Sequence, residues 1–208
     1  ERGLPAVPHV RHLAAVSGDE FPQLVRDIDV YAINPVVRLG MFLMLASFVR
    51  TGEELRKAKW EEFDWDARVW TIPSIRMKGK FATKRVHFVP LPDFAIKTLA
   101  ALMEINGDSE YVLASLYSRH KPVNGNFILD ALEIMGYKGR MTGHGFRSVA
   151  STWFNERGFN PDAVEVQLSH KIESGNAVRG AYNRARYWDE RVRMMDAWGA
   201  YLEEILQG

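Results

Sequence analysis

Apolar residues fall at helical spacing along most of this chain, interrupted by a short central stretch that reads as strand. Ser17-Gly-Asp-Glu20 has the spacing of a capping box, predicting a helix from Ser17 to about Tyr31. Asn34-Pro35 then supplies a cap and a proline at the first helical position, and the nearly all-apolar run that follows predicts a buried helix to about Val49. Glu53 to Lys59 reads as one further short helix. The pattern changes at the Trp65-Asp-Ala-Arg68 turn. Val69 to Ile72 and Val86 to Val89 read as strands of a small antiparallel sheet, joined by a basic loop around Lys78-Gly79-Lys80. After Pro92 the pattern is helical again: Asp93–Ile105, Gly125–Met135, Phe146–Glu156, Asp162–Ser169, Ala177–Arg186 and Asp189–Ile205, with Gly136 and Gly158 as stops. The expected fold is mainly α with a small antiparallel β-sheet, in a single domain.

The chain has 208 residues and no cysteine. The missing cysteines exclude a disulfide scaffold, a thiol nucleophile and thiolate metal sites, and fit a reducing cytoplasm. No apolar run reaches the roughly 18 residues of a membrane span. Net charge is only +1, from 27 Lys plus Arg against 26 Asp plus Glu, so overall charge does not argue for nucleic-acid binding. Local asymmetry is more informative. Arg76, Lys78, Lys80, Lys84 and Arg85 occur with no acid between them, and Arg179 to Arg193 holds five arginines against two acids. Such separation allows one basic face on a near-neutral body.

Four fragments invite a chemical reading. His144 and Arg147 share one face at a predicted helix start, where backbone N–H groups and the dipole suit a phosphate. On that fragment alone, a capping histidine and a solvated arginine are the simpler reading. Arg50 leaves a buried helix beside Glu53 and Glu54; a phosphate clamp braced by a glutamate and a helix-terminal charge fit equally. Lys78 lies on the basic loop, which in isolation is a solvated turn. Leu168-Ser-His170 precedes Ala181-Tyr182-Asn183, where a tyrosine needs cationic neighbours before its phenol becomes a nucleophile. His9 and His12 lie in a proline-flanked arm with no carboxylate nearby, so no metal site is assigned.

Taken in order, Arg50, Lys78, His144-x-x-Arg147, His170 and Tyr182 resemble the catalytic domain of the tyrosine recombinase (phage integrase) family, of the prophage or genomic-island type. The phrases that carry the resemblance are Phe48-Val-Arg-Thr-Gly-Glu53, Trp70-Thr-Ile-Pro73, Arg76-Met-Lys78, Val89-Pro-Leu91, Thr142-Gly-His-Gly-Phe-Arg147, Leu168-Ser-His170 and Ala181-Tyr-Asn-Arg-Ala185. Two spacings depart from the pattern. An extra residue falls at Glu53-Glu54, leaving either glutamate as partner of Arg50. The stretch from His170 to Tyr182 is long, leaving Tyr187 as a rival nucleophile. Lys80 is a rival to Lys78.

The resemblance implies a site-specific DNA strand transferase acting without metal or other cofactor. Tyr182 would form a 3′-phosphotyrosine while Arg50 and Arg147 clamp the phosphate. His170 would donate a further hydrogen bond, His144 would take the tyrosine proton or orient the phosphate, and Lys78 would protonate the leaving 5′ oxygen. Lys80, Lys84, Arg179, Arg184 and Arg186 are candidate DNA contacts. The implied partners are double-stranded attachment sites and three further copies in a homotetramer on DNA. Met194, Met195, Trp198, Tyr201, Leu202 and Ile205 give the last helix an apolar face, which either folds back on its own core or passes to a neighbouring protomer. Residues 1–16 are expected to be a linker remnant and residues 17–208 the catalytic domain. The N-terminal DNA-binding domain usual in the family would lie outside the chain. The same chemistry admits a type IB topoisomerase, and the same fold a catalytically silent DNA-binding module.

Overall fold

A computed structural model describes residues 14–79, 85–170 and 187–208. Its central element is a helix that the sequence marks clearly. The Asn34 side chain accepts hydrogen bonds from the Val36 and Val37 amides at 3.0 and 3.2 Å, starting α2 (Pro35–Ser47). Every residue from Leu39 to Val49 is buried. The helix ends where Phe48 turns left-handed at φ 57°, two residues earlier than the apolar pattern suggests, with the Phe48 amide on the Met44 carbonyl. A left-handed phenylalanine is strained. Its ring is held by complete burial against Phe154 and Trp198, at centroid distances of 5.8 and 5.1 Å.

Ahead of α2, the Ser17–Glu20 side-chain pair forms as the capping box requires, and α1 spans Phe21–Asp29. After α2, the expected short helix at Glu53–Lys59 is instead one wide π-helical turn over Thr51–Leu55, closed by the Leu55 amide on the Arg50 carbonyl at 3.0 Å. Such a turn takes in one residue more than an α-turn, at the place where the sequence spacing shows an extra residue.

The sheet orders β1 (Phe63–Asp64), β2 (Val69–Ile72) and β3 (His87–Pro90) as antiparallel neighbours, with Trp70 opposite Val89 and Ile72 opposite His87. Helix α3 (Asp93–Asn106) follows. A second hairpin, β4 (Ala114–Ser115) with β5 (Ser118–Pro122), was not anticipated; Ser-Arg-His-Lys-Pro has no apolar alternation and stands largely exposed. Then come α4 (Phe127–Ile134), α5 (Gly143–Glu156), α6 (Pro161–Gln167) and α7 (Trp188–Gln207). Gly136 and Gly158 take positive φ just past α4 and α5, as helix stops do. The helix expected over Ala177–Arg186 lies outside the described residues.

Helix α7 packs against α1, α2, α3 and α6 of its own chain. Trp198 is fully buried, donates its indole N–H to the Leu45 carbonyl at 2.9 Å, and gathers the rings of Phe21, Phe48, Trp153, Phe154 and Tyr201. Of the two readings of the apolar C-terminal face, the structure therefore shows the fold-back. Met194, Met195, Trp198 and Leu202 are buried in the chain's own core.

Two outcomes follow. Trp198→Ala, which removes the indole and leaves the Leu45 carbonyl unpaired, should cost about 3–5 kcal/mol in urea denaturation. His87 is buried and its imidazole is held down to about 3, chiefly by burial and next by the Arg191 charge. The unfolded chain then binds a proton near pH 6.5 that the folded chain refuses until about pH 3. Stability should be insensitive to this group above pH 6.5 and fall by up to about 1.4 kcal/mol per pH unit below it. Denaturation curves between pH 7 and 5 should show a shallower fall in His87→Leu.

Candidate active site

Three helix ends and one loop meet beside the end of α2. Thr142 caps α5, its hydroxyl accepting from the Gly145 amide at 3.0 Å, so α5 begins three residues earlier than expected and carries His144 and Arg147 in its first turns. Gly143 permits this approach: a Cβ there would stand 2.6 Å from the Thr51 methyl. The start of α5 is thereby laid against the turn that follows Arg50.

Arg147 is 4% exposed, and its guanidinium spans two chain segments. One terminal nitrogen donates to the Phe48 carbonyl. The other donates to the Leu168 carbonyl and lies 3.2 Å from His170 Nε2. Its Nε is buried without a partner, and no carboxylate lies within ion-pair distance of it among the described residues. Burial, then the neighbouring Arg50 charge, brings its pKa down to about 10. A guanidinium this deep without a counter-ion is costly unless an anion completes it.

Arg50 is half-buried beside it. Glu54 settles the choice between the two glutamates: its carboxylate takes the Arg50 amide at 2.9 Å and the guanidinium at 2.8 Å, and it is only 1% exposed. Glu53 points away and pairs with Lys57 at 2.7 Å. The second terminal nitrogen of Arg50 donates to the Ser169 carbonyl at 3.4 Å, so both arginines are held by the chain just before His170. Ser169 is itself left-handed, at φ 52°.

His170 contacts Glu165 through Nδ1 at 2.8 Å. Because the guanidinium can only donate, Nε2 accepts from Arg147 and Nδ1 carries the proton toward Glu165. Glu165 was missed in the sequence, where five residues of separation suggest no pairing; the bond exists because the left-handed Ser169 turns the chain back after α6, with the His170 amide on the Glu165 carbonyl at 2.9 Å. His144 is exposed at the rim. Partial burial, and then the charges of Arg147, His170, Arg50 and Lys78 in that order, lower its pKa below 6.5 and favour the neutral ring.

Lys78 is exposed on the loop after β2. Two residues before it, Arg76 ties the loop down. Its guanidinium donates to the Glu53 and Glu54 carbonyls at 3.2 and 3.0 Å and pairs with the buried Glu62 carboxylate, which also accepts from the Trp70 indole at 3.0 Å. The lysine loop is thus braced on the same turn that orients Arg50.

Tyr182, Lys80, Lys84, Arg179, Arg184 and Arg186 lie outside the described residues. Tyr187 has a hydroxyl partner on α6. It is buried against Ala163 and Val166, and its hydroxyl donates to Asp162 at 3.0 Å. Among the predicted residues that are described, the structure brings together Arg50, Glu54, Lys78, His144, Arg147 and His170, while Glu53 pairs with Lys57 and Tyr187 with Asp162.

Comparison with known proteins agrees with this geometry. Residues 15–187 match the phage integrase family profile. The chain is 35% identical over 191 residues to prophage integrase IntA of Escherichia coli K12, covering 92% of this chain and 45% of the relative. It is 35% identical over 187 residues to the integrase of Shigella phage Sf6, covering 89% and 47%. The chain thus spans about half the length of the curated relatives it matches. Among solved structures, the Tn1549 transposon integrase in complex with circular intermediate DNA superposes with a TM-score of 0.62 at 12% identity, covering 84% of this chain and 62% of that one. XerA recombinase gives 0.58 at 19% identity, covering 88% and 67%. These two show a shared fold. With the family profile spanning most of its length, the chain belongs to the phage integrase family of tyrosine recombinases.

Proposed function

We propose that the chain cleaves and rejoins DNA strands at specific sites, as the catalytic part of an integrase that moves a mobile element. The observation that carries this reading is the buried Arg147 guanidinium, with no carboxylate at ion-pair distance among the described residues, beside Arg50, His170, His144 and Lys78. A diester phosphate is an anion of the right size for such a pocket, and two guanidinium forks match its non-bridging oxygens.

In this reading the Tyr182 phenol oxygen attacks the scissile phosphorus while the bond from phosphorus to the 5′ oxygen breaks. Neutral His144 takes the phenol proton, and Lys78 gives a proton to the departing 5′ oxygen. Arg50 and Arg147 hold the charge that builds on the phosphoryl oxygens; His170, with Nε2 accepting from Arg147 and its Nδ1–H turned to Glu165, orients that guanidinium rather than donating to the phosphate as the resemblance implies. The 5′ hydroxyl of a second strand then attacks the phosphotyrosine, and the protons run in reverse. The bond is exchanged rather than hydrolysed, so no energy source is consumed. Tyr187 is discounted as nucleophile because its hydroxyl is engaged by Asp162.

Double-stranded attachment sites are the proposed substrate. Lys80, Lys84, Arg179, Arg184 and Arg186 are proposed to contact the DNA backbone, so affinity should fall steeply with salt. Assembly as a tetramer on DNA is part of the proposal. Action on DNA implies a cytoplasmic location; no helix among the described residues is long and apolar enough to cross a membrane.

The test uses nicked suicide duplexes with randomised cores, from which the cleaved fragment dissociates. Protein-linked DNA is recovered after denaturation and the modified peptide is mapped. Adduct on Tyr182 supports the reading; none on any duplex, or adduct on Tyr187, refutes the assignment. Arg147→Lys and Arg50→Lys should each slow adduct formation by roughly 10²–10³, and Tyr182→Phe should abolish it. Because His144 must be neutral to accept a proton and its pKa is lowered, the acid limb of the pH–rate profile should lie below pH 6.5. That limb should vanish in His144→Gln.

A further inference from the structure

Arg147 works only if two carbonyls from distant parts of the chain stay the right distance apart. Phe48 ends α2 and Leu168 follows α6, and each accepts from one nitrogen of the guanidinium fork. The residues just before these two carbonyls are joined directly: the Gln167 side-chain amide donates to the Ser47 carbonyl at 2.9 Å. Ser47 precedes Phe48 and Gln167 precedes Leu168, so this one bond spans the same gap as Arg147, a residue further back on both sides.

The amide of Gln167 could face either way in principle. Arg191, in the first turn of α7, decides it. Its Nε and one terminal nitrogen both donate to Gln167 Oε1, at 3.0 and 2.8 Å, and the same terminal nitrogen donates to the Phe88 carbonyl at 2.6 Å. A guanidinium is donor-only, so the amide oxygen must face it and the amide N–H must face Ser47. Gln167 and Arg191 are each 1% exposed. Arg191 has no carboxylate within ion-pair distance among the described residues, so it is not there to complete an ion pair.

We propose that Gln167 and Arg191 form a positioning clamp: Arg191 orients the Gln167 amide, and the amide sets the spacing of the Phe48 and Leu168 carbonyls that aim Arg147 at the phosphate. Neither residue touches DNA in this scheme. The proposal rests on the recombinase reading of the site and adds to it two residues that act through Arg147.

The sharpest variant is Gln167→Glu in the 208-residue chain. It keeps an acceptor for Arg191, and even pairs its charge, but replaces the N–H that meets Ser47 with an oxygen. The lost Ser47 bond and the gained Arg191 pair act on stability in opposite directions, so the protein should stay folded with a modest change in melting temperature, and duplex affinity should be unchanged. Adduct formation should nevertheless slow roughly tenfold to a hundredfold, the scale of a misplacement near 1 Å. Arg191→Lys, which keeps the charge but loses the fork, should behave alike and stands in if the first variant misfolds. Because the clamp acts through Arg147, either change should add little to Arg147→Lys in a double-mutant cycle. Adduct formation at the wild-type rate, or full additivity with Arg147→Lys, overturns the proposal. A readout free of DNA separates the two levels: the Arg147 Nε–H signal in nitrogen-15 NMR. It should move in both clamp variants. If the wild type forms no adduct, the recombinase reading fails, and that signal alone judges the clamp: displacement supports it, and an unmoved signal overturns it.

Discussion

The burial of the Arg147 guanidinium, with no carboxylate at ion-pair distance among the described residues, sets most of the terms of the candidate site. Arg147 is enclosed by backbone carbonyls and an imidazole, none of which carries a full negative charge. Carbonyl dipoles offset part of the lost hydration, and the rest is left unbalanced in a low-dielectric place. An anion arriving there meets charge that is already dehydrated and already aimed. That is the state in which electrostatic stabilisation is strongest and needs no reorganisation when charge develops.

Holding such a group requires that three chain segments be pinned. Phe48 gives up a comfortable backbone angle, and the aromatic cluster around Trp198 keeps it there. Ser169 is left-handed on the opposite side, where its carbonyl serves Arg50. Glu54 braces Arg50 from below, and Arg76 braces the lysine loop on the same turn. The strained residues therefore sit at the site's carbonyls while apolar packing supplies the constraint behind them. The C-terminal helix belongs to that backing: Trp198 stiffens the end of α2, and Arg191 reaches α6 and β3.

Much of this was legible beforehand. The Asn34-Pro35 start, the buried run behind it, the strands around Thr71 and the glycine stops come from local geometry and periodicity, which act within a few residues. The order of Arg50, Lys78, His144, Arg147 and His170 could also be read, because residue types in sequence survive even where spacing drifts. The hairpin at Ser118–Pro122 could not: its strands are stabilised by pairing, with no buried face to leave an alternating trace. Nor could the wide turn after Arg50, since glutamate is as much at home in an α-turn as in a π-turn.

The chain's own order of residues determined the helical class, the small sheet and the set of cations that could gather, because these depend on side-chain type and short-range period. The tertiary structure alone decided that Glu54 rather than Glu53 serves Arg50, that His170 turns its proton toward Glu165, and that α7 closes on its own core. Each of those outcomes compares contacts between segments far apart in the chain, where a change of one residue in register reverses the partner without altering any local pattern. Pairings of that kind acquire a definite energy only once the backbone has brought the groups together and removed the water between them.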